Sequence, residues 1–100
     1  MQMRTMSLID HGVFPGDEDK LKDYCRNLTV EERLRLFQCA ISAAPGLEIA
    51  IYESITEKHG YRTQIKRGKQ IPAKEDDFYA YQRKTLAEFY DWLRMTGRWK

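Results

Sequence analysis

Cysteine and histidine are scarce in this 100-residue chain, and that scarcity removes several classes of chemistry at once. Two cysteines, Cys25 and Cys39, do not build a disulfide framework. Neither has a CxxC partner or a histidine at metal-binding spacing, so both read as reduced thiols, Cys39 within a core helix. The two histidines are His11 and His59. Asp10 and His11 are neighbours in sequence, which points their side chains apart, and no cysteine is spaced to make a nucleophile–base pair with either histidine. The GxGxxG, P-loop, GxSxG and HExxH patterns are missing. We therefore expect no catalytic residues, no metal and no cofactor. No apolar run approaches the ~18 residues of a membrane span. Residues 1–8 hold one arginine and no hydrophobic stretch, so no signal peptide and a cytoplasmic location are expected.

What is present is charge and aromatic side chains. Charged residues make up 32% and aromatics 12% of the chain, a composition of folded rather than disordered protein. Net charge is +2, but it is unevenly laid out. Residues 17–32 carry Asp17, Glu18, Asp19, Asp23, Glu31 and Glu32 against Lys20, Lys22 and Arg26. Residues 58–74 carry Lys58, Arg62, Lys66, Arg67, Lys69 and Lys74 with no acid.

Periodicity predicts an all-α fold in one domain over residues 1–100. The expected form is a compact bundle of about four helices with an irregular N-terminal arm and a basic loop. The arm, residues 1–16, has no sustained period and packs Leu8, Ile9, Val13 and Phe14 as an irregular segment or short strand. Asp17 is placed to cap a first helix running to about Arg26. Thr29 and Glu32 form a capping box for a helix at 30–44, ended by Pro45. Val30, Leu34, Phe37, Ile41 and Ala44 recur at helical spacing and are read as its core face, widened by Leu36, Cys39, Ala40 and Ala43. A third helix is expected at 47–59 with Gly60 as its left-handed cap, although Leu47, Ile49 and Ile51 alternate as a strand would. Residues 61–72 read as a loop or short hairpin. The last helix, 73–96, gathers Phe78, Tyr79, Tyr81, Leu86, Phe89, Tyr90, Trp92 and Leu93 on one half-circle, wider than the ~100° a core-facing helix needs.

Three surfaces follow as candidates. The helices at 30–44 and 47–59 have the length of a helix-turn-helix, but Glu48, Glu53 and Glu57 on the second would face the phosphates, which excludes a DNA reader. Arg62, Lys66, Arg67 and Lys69, with Tyr61, mix cations and an aromatic as a nucleic-acid contact would. Phe78, Tyr81 and Trp92 lie toward the edge of the last helix's aromatic face, and Trp99 follows the Gly97 stop. Aromatics of this kind dominate protein interfaces, so these residues are expected to contact a protein partner or a second copy of the chain.

A short chain with no enzyme motif, polarised charge and surplus aromatics resembles the small inhibitors encoded by phages and mobile elements. In type it is similar to the anti-CRISPR proteins that act on type I-F systems. That resemblance implies stoichiometric binding to a CRISPR–Cas ribonucleoprotein complex and obstruction of target-DNA binding. It rests on whole-chain character and transfers no residue. The chain is similar in the same way to small helical antiactivators that stop transcription factors from dimerising. A small nucleic-acid binder using the basic loop is the third expectation.

Overall fold

Residues 6–99 are described by a computed structural model; residues 1–5 of the expected arm and Lys100 lie outside them. The described chain is all-helical. Its helices are α1 (Glu18–Tyr24), α2 (Val30–Ala43), α3 (Glu48–Glu57), α4 (Tyr61–Lys66) and α5 (Glu75–Met95), with no strand among the described residues. The radius of gyration is 12.9 Å, close to the ~13 Å of a packed chain of this length.

The arm is an irregular turn. Ser7 and Asp10 each accept the other's backbone N–H through their side chains. The turn buries Leu8 and Val13 but leaves Ile9 and Phe14 exposed, so half of its expected apolar packing is made. Asp17 stands before α1 but does not cap it. Its own backbone is helical, and its carboxylate accepts from the Tyr90 hydroxyl at 2.7 Å and the Trp99 indole N–H at 3.2 Å. The acid ties the start of α1 to α5 and the C-terminal tail.

Thr29 and Glu32 form the expected capping box. The Thr29 hydroxyl accepts from the Glu32 N–H at 3.2 Å, and Glu32 Oε1 accepts from the Thr29 N–H at 2.9 Å. Glu32 is also buried, at 4% exposure, and does more than cap. Its second oxygen accepts from the Tyr24 hydroxyl and lies 3.6 Å from the Arg98 guanidinium. One carboxylate thus joins α1, α2 and the tail.

The bundle is built on α2 against α5. Phe78, Phe89, Tyr90, Leu86 and Leu93 of α5 are all fully buried. Opposite them α2 presents Leu36, Cys39, Ala40 and Ala43. Small side chains on one helix make room for large rings on the other, which is how facing layers fill space without strain. The consequence corrects the expected core face of α2. Val30, Leu34 and Ile41 are 76%, 62% and 47% exposed, while Leu36 is fully buried. The expected widening residues Leu36, Cys39, Ala40 and Ala43 are the buried side, and of the row read as its centre only Phe37, half-buried edge-on against Tyr52, and Ala44 take part in packing.

Residues 47–57 adopt the helical alternative, and Leu47, Ile51 and Ile55 are buried. The left-handed residue after α3 is Lys58, at φ 59°, and not Gly60. Gly60 has an extended backbone and precedes α4. A Cβ on it would lie 2.7 Å from the Tyr79 hydroxyl, so a larger residue there would have to displace that side chain. The expected loop or hairpin at 61–72 is corrected to a helix, α4, followed by a turn at Gly68. Its anchor is polar: buried Gln64 donates both amide hydrogens, to Ala50 O at 2.8 Å and His59 O at 2.7 Å. Apolar periodicity does not register such an anchor.

The Glu32 cluster makes a pH prediction. Burial pushes its carboxyl up, but the hydrogen bonds from Tyr24 and Thr29 and the charge of Arg98 outweigh this and hold it below the ordinary glutamate value. Burial and the same bond push the Tyr24 phenol up to about 12, so it stays a donor. A depressed carboxyl stabilises the fold above its unfolded pKa of ~4.3, and that contribution is lost as pH falls through the lower folded value. Glu32→Gln should lower unfolding free energy at pH 7 by about 1–2 kcal/mol. Urea unfolding from pH 6 to 3 should show a shallower acid decline in this variant than in the parent.

Candidate functional site

The expected partner surfaces are placed differently from one another. Phe78 is fully buried, packed between Tyr61 at 5.4 Å and Tyr79 at 5.2 Å, so it belongs to the core and offers no contact. The remaining expected aromatics, Tyr81, Trp92 and Trp99, are half-buried and packed on the core. Trp92 stacks on Phe89 with centroids 5.8 Å apart, and the Arg98 and Arg35 guanidinium groups lie 4.8 and 5.9 Å from its ring. Trp99 is tethered to the body through Asp17, with its ring against Tyr24 and Tyr90. The aromatic half-circle of α5 is therefore spent mostly inside the molecule.

The basic residues of 61–72 lie on α4 and the turn after it, and most are engaged. Arg62 makes a two-pronged contact with Glu75, at 2.9 and 3.2 Å. Lys69 pairs with Glu53, and Arg67 lies 3.3 Å from His59 Nδ1. Lys66 and Arg67 are exposed with no carboxylate partner among the described residues, the Arg67 guanidinium meeting only the His59 ring.

A different surface stands out. Val30, Leu34, Phe37 and Ile41 fall within ~60° of one another around α2, some 140° from its buried stripe. From Val30 to Ile41 the stripe is ~17 Å long, three turns of helix. Three of the four are exposed large aliphatic groups, and Phe37 with Tyr52 continues the patch to the edge of α3. Scattered exposed aliphatics are ordinary on a surface; a contiguous row on one helix makes a candidate contact surface.

The rim of this stripe is cationic. Both acids of α2, Glu31 and Glu32, are engaged by Arg98. Arg33 and Arg35 meet no carboxylate among the described residues: Arg33 donates to Leu28 O and Arg35 to Gln38. Arg33 lies ~40° round the helix from the row and edges it, whereas Arg35 turns toward Trp92 of α5. An apolar row beside the uncompensated Arg33 guanidinium fits an apolar ridge edged by a carboxylate, and two copies of the chain meeting here would instead bring two such arginines to one seam.

Cys25 sits in the core and desolvation pushes its thiol up to about 12, so it stays protonated and weakly nucleophilic at neutral pH. No helix among the described residues is long and apolar enough to cross a membrane.

Comparison of the chain with protein-family models, with curated proteins and with solved structures returned no match.

The stripe could have been suspected from the sequence by asking which face of α2 is small enough to meet the rings of the last helix. Leu34→Ala should leave the free energy of urea unfolding within the about ±0.5 kcal/mol of a surface change, whereas Leu36→Ala should cost about 2–5 kcal/mol. Equal losses would mean that both faces are packed.

Proposed function

We propose that this chain is a non-enzymatic protein-binding module that inhibits by covering a surface of its partner, and that the outer face of α2 is the surface it uses. The observation that carries this reading is the exposed row Val30, Leu34 and Ile41 with Arg33 at its edge. The partner surface that complements it is an apolar ridge with an acidic rim. Hot spots in such contacts are a few large groups at the centre, here Leu34 and Phe37, with charges at the rim steering the approach.

The first partner to test is a type I-F CRISPR–Cas surveillance complex. Its support is the chain's resemblance in size and character to inhibitors of such complexes, and obstruction of target-DNA binding is the action that resemblance implies. A transcription factor held as a monomer is the second candidate of the same mechanism. The carboxylates of Glu75 and Glu53 beside Arg62 and Lys69 weigh against a nucleic-acid surface at α4, because they would face the phosphates.

Immobilised chain should capture the partner in stoichiometric amount from cells that carry it. Leu34→Glu and Arg33→Glu, each with an unchanged circular dichroism spectrum, should weaken capture at least about thirtyfold, the loss of a hot spot worth about 2 kcal/mol. Capture that is indifferent to both changes contradicts the proposed surface. For the surveillance complex itself, cells with an active type I-F system should lose immunity in phage plating when the chain is expressed; unchanged immunity rejects that partner.

A further inference from the structure

Glu53, Glu57 and His59 come together at the C-terminal end of α3. We propose that they form a binding site for one divalent transition-metal ion, with zinc the ion whose donor preferences fit best. Glu53 and Glu57 are four residues apart on a helix, so their carboxylates share a face. His59 lies beyond the helix. It is brought back by the left-handed turn at Lys58, and its ring nitrogen and the two carboxylate oxygens all lie within 4.8 Å of one another.

The donor set and the electrostatics point the same way. Metal–donor distances of ~2.0–2.2 Å place the ligands of one ion roughly 3–4 Å apart, so small side-chain rotations close this set on an ion. One imidazole nitrogen with two carboxylates suits zinc or a neighbouring first-row ion, whereas magnesium and calcium take oxygen ligands and more of them. Two carboxylates at the negative end of a helix repel each other and the helix dipole, and a cation between them relieves both.

Two side chains now supply that positive charge. Lys69 pairs with Glu53, and the Arg67 guanidinium lies 3.3 Å from Nδ1 and 3.4 Å from Nε2 of His59. Lys69 is partly exposed on the turn after α4, and an ion pair of that kind is worth little. A metal ion can therefore displace it. This gives the site an unusual sign: removing a charge that contacts the ligands should improve binding.

The test is calorimetric titration of the full chain with zinc chloride in the presence of a non-chelating reductant. One ion should bind per chain, with no saturable uptake of magnesium. His59→Ala and Glu57→Gln should each weaken zinc binding at least about tenfold, the size of effect seen when metal-site groups are lost. Lys69→Ala should tighten it several-fold. The absence of saturable zinc uptake overturns the proposal. So does uptake indifferent to His59→Ala and Glu57→Gln, which would place the ion elsewhere, and so does weaker binding by Lys69→Ala.

Discussion

The buried carboxylate of Glu32 is the constraint on which the arrangement of this bundle turns. It accepts from Thr29 and Tyr24 and faces Arg98, so the start of α2, the end of α1 and the C-terminal tail converge on one side chain. A helix is free to rotate about its axis until something fixes its phase. With Glu32 held inside, α2 has one orientation open to it, and Val30, Leu34 and Ile41 are turned to solvent. Tail and helix depend on each other here. Arg98 reaches Glu31 and Glu32, and Trp99 reaches Asp17, so the last residues close the surface over α1 and α2.

Packing volume reinforces that phase. α5 brings Phe78, Phe89 and Tyr90 to the interior, and such rings demand small neighbours. The Cys39, Ala40 and Ala43 face of α2 provides them. The opposite face, with valine, leucine and isoleucine, would overpack the same space, which costs typically 1–3 kcal/mol per intrusion. Polar anchoring and ring size therefore agree, and the more hydrophobic side of the helix is left outside.

This explains how much was legible in the sequence. Several local signals were read correctly, namely the Thr29–Glu32 capping box, the stop at Pro45, the helical character of residues 48–57 and the long last helix, whereas the caps expected at Asp17 and Gly60 were not formed. The phase of α2 was read only in part: Leu36, Cys39, Ala40 and Ala43 were placed inward, but Val30, Leu34 and Ile41 were too, because periodicity ranks faces by apolarity and says nothing about the size of what lies opposite. α4 was missed for a related reason, since its anchor is the amide of Gln64 bonded to two carbonyls of the preceding segment. The basic residues were identified but their partners were not. Glu75 and Glu53 come from other helices, and only folding places them beside Arg62 and Lys69. The Glu53, Glu57 and His59 grouping was hidden because spacing arguments look for clustered histidines and cysteines, and this set depends on a chain reversal at Lys58.

The central claim is the outward orientation of the α2 stripe, and cysteine accessibility measures it directly. Both native thiols are buried and should react slowly with an aromatic disulfide reagent in the folded protein. A cysteine placed at Leu34 should then react at close to the rate of the unfolded chain, and one placed at Leu36 at least about a hundredfold more slowly, limited by opening of the fold. The reverse order, or protection at both positions, would contradict the account.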